Sequence, residues 1–316
     1  MWRTALTTGL LAVSGCFPRY GDLPALAPEQ LQTPLPLQHI EVDGLDLAYI
    51  DSGGDGPPVV LLHGLSSTLG FWEHQVPHLA RDHRLLALDL PGFGSSDRPD
   101  APYTPPWYAD VVAQWMEAVG VPSAVIVGHS MGGQIAITLA LEHPDRVDAL
   151  ALAAPAGIES FQPGAARWMK TYWTEDRALH SSEAEIRANF TTAAFNRTDD
   201  GVERLIRERV QLGKHPAFRG TSVAVSRCIA GMLDHPTTER LPELDLPTLI
   251  VFGTDDRMIP NSIFTGGTPR SIGEQARAAI PGARLVLLQG AGHTVQHDDP
   301  AGFNAALDPF LAEVRR

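Results

Sequence analysis

The chain has almost no cysteine. Only Cys16 and Cys228 carry thiols among 316 residues, which argues against a disulfide-stapled scaffold and leaves no Cys/His spacing of the kind a zinc site needs. Histidine does not fill that gap: His293 and His297 come nearest to a metal-ligand spacing, with no third ligand implied beside them, so no metal is expected. Positive charge is scarce as well. With 24 Lys and Arg against 37 Asp and Glu, the formal net charge is −13, and no basic stripe exists to neutralise phosphates; this argues against a nucleic-acid partner. What is present is ordinary in proportion, 44% hydrophobic and 19% charged, enough for one generous α/β domain with an insertion or for two small domains.

The N-terminus reads as a signal. Arg3 supplies positive charge, Thr4 to Val13 is an apolar segment too short to span a membrane as a helix, and Val13–Ser14–Gly15–Cys16 follows. Those four residues resemble a bacterial lipobox, which implies lipidation at Cys16, export, and a membrane-anchored protein at the periplasmic or cell surface. Residues 17–37 carry Pro18, Pro24, Pro28, Pro34 and Pro36 without a helix or strand period, and are expected to form a semi-rigid tether.

From residue 38 the pattern is α/β. Two alternating strands flank Asp43–Gly44, a tight hairpin turn. Val59–Leu62 and Leu85–Asp89 are continuous apolar runs of the kind buried on both faces of a sheet. Thr104 caps a helix with Pro105 and Pro106 in its first turn. Strand–helix alternation continues to about residue 154, stops, and resumes near 241. The expected organisation is therefore a mostly parallel doubly wound sheet over 38–154 and 241–316, with 155–240 as an inserted helical cap.

The chemistry centres on Val125–Ile126–Val127–Gly128–His129–Ser130–Met131–Gly132–Gly133, where a β-branched strand meets a Gly-x-Ser-x-Gly and turns at once into a helix. A serine there sits on a strained turn with its hydroxyl exposed, and the helix start aims free N–H groups at the same point. A serine hydroxyl needs a base, and the base needs an orienting acid. In an open parallel sheet these must lie at the carboxyl ends of strands. His293, in the Gly-rich turn after the last buried strand, meets that condition. His297 lies one turn further on. His63 is expected to buttress its loop, and His129 to point away from the base. For the acid, the loop after Thr248–Phe252 offers Asp255 and Asp256, with the unused one capping the turn or pairing with Arg257. Backbone N–H groups of Met131 and Leu65 are the expected oxyanion donors.

His63–Gly64, Asp89–x–Pro91–Gly92–x–Gly94–x–Ser96, the Gly128–Gly133 stretch, Gly253–x–x–Asp256–x–x–x–Pro260 and Gly292–His293 together resemble the α/β-hydrolase superfamily, in its capped group of serine esterases, lipases and C–C bond hydrolases. The resemblance covers roughly residues 38–314 and implies that Asp256 is the acid. It implies a cofactor-free serine hydrolase acting on a small apolar carboxylic ester. C–C, thioester or amide cleavage and perhydrolysis use the same triad and stand as alternatives, and a non-catalytic binding module is the alternative from another class. Phe71, Trp72, Phe93, Trp168 and Trp173 are candidates to line an acyl pocket.

Overall fold

Asp43 and Gly44 both adopt positive φ, 49° and 76°, the left-handed pair that a two-residue hairpin turn requires. They join β1 (Gln38–Val42) to β2 (Leu45–Asp51) in antiparallel register. The structure is a computed structural model describing residues 19–261 and 263–314. The remaining strands are β3 (Pro58–Leu62), β4 (Arg84–Leu88), β5 (Ala124–His129), β6 (Val147–Ala153), β7 (Thr248–Gly253) and β8 (Arg284–Leu288). They form one sheet in the order β1-β2-β4-β3-β5-β6-β7-β8, parallel from β4 onward. Along β3 the side chains divide by period two: Val60 and Leu62 enter the core on one face, Val59 and Leu61 that on the other. This is why the run is apolar without alternation.

One face is covered by α2 (Pro105–Ala118), α3 (Met131–Glu142) and α9 (Pro269–Ala279), the other by α1 (Val76–Leu79) and α10 (Pro300–Val314). Thr104 caps α2 through the Trp107 N–H. Between β3 and β4 the chain makes a 3-10 turn at Leu69–Trp72 before α1. Between β6 and β7 lie the cap helices α4 (Pro163–Tyr172), α5 (Glu175–Leu179), α6 (Glu183–Asn189), α7 (Asp200–Leu212) and α8 (Phe218–Asp234), with a π turn at Phe190–Ala194. The cap has its own core, including Phe190, Phe195, Val202, Ile206 and Val210, and Phe71 of the main domain is part of it. Cys228 on α8 is buried, forms no disulfide among the described residues, and burial pushes its thiol up to about 12.

Residues 19–37 are not a free tether. They lie as a strap on the cap. The Tyr20 N–H donates to the Glu183 carboxylate at 2.9 and 3.0 Å, and its hydroxyl donates to Glu203 at 2.9 Å. Lys214 Nζ reaches the carbonyls of Tyr20 (3.1 Å) and Gly21 (2.6 Å), and the Leu26 N–H pairs with the Gln211 carbonyl at 3.3 Å. Further along, the Pro28 carbonyl accepts the Ser95 hydroxyl at 2.9 Å. The prolines that suggest a spacer also restrict the unfolded chain, which lowers the entropy lost on docking. Cys16, the lipobox cysteine, lies outside the described residues. Among the described residues no helix is long and apolar enough to cross a membrane.

Candidate active site

Ser130 is the pivot between β5 and α3, with φ 54° and ψ −117°, a region an L-residue occupies only when its surroundings hold it there. The surroundings do so through close backbone packing. A Cβ on Gly128 would lie 2.3 Å from the Gly132 carbonyl oxygen, and one on Gly132 would lie 2.3 Å from that of Leu62. No side chain fits at either position, so the two glycines permit the sharp turn. Main-chain bonds from the Ser130 N–H to Ala153 and from the Ala156 N–H to the Ser130 carbonyl, both 3.0 Å, pin the elbow to the end of β6.

His293 Nε2 lies 2.9 Å from Ser130 Oγ, and its Nδ1 lies 2.9 Å from Asp256 Oδ2. The Asp256 carboxylate is fully buried, and its other oxygen accepts N–H groups from Met258 (2.8 Å) and Ile259 (3.0 Å). These bonds fix the carboxylate and leave Oδ2 for the imidazole, so Nδ1 carries the proton and Nε2 is free to accept one from the serine. Asp255 instead bonds Asn196 Nδ2 (3.1 Å) and the Thr254 hydroxyl (3.1 Å), while Arg257 donates to the Thr192 carbonyl. The His293 turn is held from beneath by Asp298, whose buried carboxylate accepts the Gly292 N–H at 2.7 Å and those of Asn196 and Arg197 in the cap.

Met131 opens α3, where N–H groups have no intrahelical acceptor. Leu65 lines the cavity beside Ser130. Gly64 brings that loop so near that a Cβ there would sit 3.2 Å from Ser130 Cβ. His63 braces the loop: its Nδ1 donates to the Gly64 carbonyl at 2.8 Å and its Nε2 accepts the Leu90 N–H at 3.0 Å. His129 is not turned away from the base. It lies under His293, its Nε2 3.1 Å from that residue's carbonyl oxygen, and burial beside His293 holds it well below the ordinary imidazole range, hence neutral.

His297 faces away from Ser130. Its Nε2 is 3.2 Å from Asp199 of the cap and its Nδ1 3.5 Å from Glu73. With Glu73 and His74 it forms a group whose possible metal-ligand atoms lie within 4.8 Å of one another, at the boundary of core and cap. Glu73 also pairs with Arg204 of the cap at 2.8 Å. Both partners of His297 in the group thus come from a distant turn, and His293 is not part of it.

A cavity of about 1000 Å³ separates Ser130 and His293 from the cap helices. Phe71 and Trp173 line it, alongside Leu65, Phe190, Ile229 and Met232. Three of the expected pocket residues do not. Trp72 is fully buried beneath the sheet against Phe303 and the His129 ring. Phe93 is buried edge-on to His63 and lines only a small recess beside the cavity. Trp168 stands half exposed on the outer cap, stacked on Tyr172 and tilted against Phe264. Several charged residues without a sequence signal also face the cavity, Glu159 and Arg209 among them. Glu159, after β6, is buried, and burial raises its carboxyl to about 7 although Oε1 accepts the Asn261 N–H at 2.6 Å. Arg209 projects from α7.

Comparison with known proteins agrees with the fold. The profile of the family described as "alpha/beta hydrolase fold" matches residues 57–300. A dihydrolipoyllysine-residue acetyltransferase component of the acetoin cleaving system of Cupriavidus necator is 30% identical over 281 residues, covering 87% of this chain and 68% of that protein. A 2-hydroxymuconate semialdehyde hydrolase of a Pseudomonas species is 29% identical, covering 84% and 90%. Among solved structures, a probable hydrolytic enzyme of Pseudomonas aeruginosa superposes with a TM-score of 0.81 at 25% identity, covering 91% of this chain and 98% of that one. A thermophilic esterase of Thermogutta terrifontis gives 0.72 at 25% identity, covering 88% and 100%. With the sheet order, the serine turn and these matches in agreement, the chain belongs to the alpha/beta hydrolase fold family.

Proposed function

We propose that the protein is a serine hydrolase that cleaves carboxylic esters through an acyl-enzyme. The observation that carries the reading is the relay Ser130 Oγ–His293 Nε2 and His293 Nδ1–Asp256 Oδ2, each 2.9 Å, opening on a mostly apolar cavity. Ser130 Oγ attacks the ester carbonyl as His293 takes its proton, and Asp256 holds the imidazole in the correct tautomer and stabilises its charged form. The N–H groups of Leu65 and Met131 donate to the developing oxyanion. Collapse expels the alcohol, which leaves with the proton from His293. Water, deprotonated by His293, then attacks the acyl-enzyme, releasing the acid and restoring Ser130. No cofactor takes part.

Similarity to a 2-hydroxymuconate semialdehyde hydrolase favours a second reading, with the same triad cleaving a C–C bond. The test is Ser130→Ala assayed on short p-nitrophenyl esters beside a vinylogous diketone. Loss of ester turnover by about 10³-fold or more supports the first reading. Retained ester turnover in the variant refutes it, and turnover of the diketone alone by the parent protein selects the second.

We also propose that Cys16 carries a lipid anchor, on the lipobox pattern of Val13–Cys16. Because the strap is docked from Tyr20 onward, such an anchor would hold the cap close to the membrane surface rather than at the end of a long tether. Cys16→Ser should move the protein from the membrane fraction to the soluble one; an unchanged distribution refutes the anchor.

A further inference from the structure

Beside the oxyanion loop the cavity opens into a recess of about 30 Å³, and the two share Ser66, Ser67 and Arg209. In a chain with a net charge of −13, no carboxylate lines this recess, while Arg98, Arg209 and His215 do. Arg98 spends its donors on neutral acceptors, the carbonyls of Ser96 (2.8 Å) and Gly94 (2.5 Å) and the Thr221 hydroxyl (3.0 Å). His215 Nδ1 accepts the Ala217 N–H at 3.3 Å, which leaves its Nε2 as a donor.

Arg209 is the more telling residue. Its guanidinium lies 4.2 Å from the centre of the Phe218 ring, and among the described residues it has no hydrogen-bond acceptor and no acidic partner. Other cavity arginines are satisfied: Arg177 faces Glu185, Arg240 pairs with Glu243 and Arg257 bonds a carbonyl. Burial without a countercharge pulls Arg209 down to about 10. A half-buried guanidinium with neither countercharge nor acceptor is costly to the folded protein, and such groups cluster where a ligand supplies the missing charge.

We propose that Arg209, with Ser66 and His215, binds a carboxylate carried by the substrate, so that the preferred esters are half-esters of short dicarboxylic acids. The planar guanidinium fork matches the two oxygens of a carboxylate, and a recess of about 30 Å³ suits a small anionic group of that size. The inference rests on the ester-hydrolase reading and narrows its substrate class.

The experiment compares methyl hydrogen glutarate with methyl pentanoate, a neutral ester of equal chain length, in the wild-type protein, Arg209→Met and Arg209→Lys. The wild type should prefer the half-ester in kcat/KM, and the Met variant should lose about 30-fold or more of that selectivity, with the Lys variant between them. Free glutarate should compete with p-nitrophenyl acetate in the wild type, a readout that needs no variant to fold. Equal use of the two methyl esters by the wild type, selectivity unchanged in Arg209→Met, or no competition by glutarate overturns the carboxylate site while leaving the hydrolase reading intact. Failure of the wild type to turn over any of the three esters removes the hydrolase reading and the inference with it.

Discussion

Replacing Glu159 by glutamine should leave stability nearly unchanged near pH 4 and raise it at pH 8. The carboxyl is 6% exposed, and its folded pKa is raised from 4.5 to about 7, chiefly by burial, against the opposing bonds from Asn261 and Thr265. Between those two values the folded protein binds more protons at this site than the unfolded chain does. Stability therefore falls as pH rises from 4.5 to 7, and the loss is complete above 7. Its size is about 3 kcal/mol, from 1.36 kcal/mol per pH unit. An amide presents the same carbonyl oxygen to the Asn261 N–H and has no proton to lose, so it escapes the cost. Urea unfolding of both proteins from pH 4.5 to 8 reads the difference directly. A stability gain for Glu159→Gln that opens with pH and levels above 7 is expected. A difference independent of pH would refute the reasoning, because a structural effect of the amide has no reason to titrate.

Other variants separate packing from chemistry. Gly132→Ala places a methyl against the Leu62 carbonyl oxygen and should cost about 3 kcal/mol or more; an unchanged melting temperature would contradict the close packing. Trp72→Ala should lower stability by about 3–5 kcal/mol while the KM for short esters stays within about twofold, since Trp72 lies in the core below the site and not on the cavity wall; a large KM change at constant stability would restore it to the pocket. Asp256→Asn leaves the side-chain shape but offers His293 the wrong partner, and should reduce kcat by about 10³–10⁴ with KM little changed.

The sheet and the serine turn are readable in the sequence because their determinants are local. A β-branched run, a glycine at each packing point and a helix start all lie within Val125–Leu141. His293 is reachable because a parallel sheet gathers strand ends on one edge, so chain order becomes spatial proximity. Asp255 and Asp256 are equivalent by composition. What divides them is the turn in which Met258 and Ile259 donate to Asp256, while Asn196 of the cap takes Asp255.

The strap is illegible for the opposite reason. Tyr20 is held by Glu183 and Glu203, more than 160 residues away, and nothing in a proline-rich segment announces where it will dock. Trp72 shows a second limit: burial in a core and exposure to an apolar cavity demand the same side chains. Glu159 and Arg209 show a third, since each is one charge among many in the sequence, and only tertiary burial makes either unusual.

The central claim, that Ser130 is a nucleophile activated by His293, is tested most directly by fluorophosphonate labelling followed by peptide mapping. A single phosphonyl adduct on Ser130 of the folded protein is expected, with labelling slowed by about 10³-fold or more in His293→Ala. An unlabelled Ser130 in folded protein, or a labelling rate indifferent to His293, would contradict it.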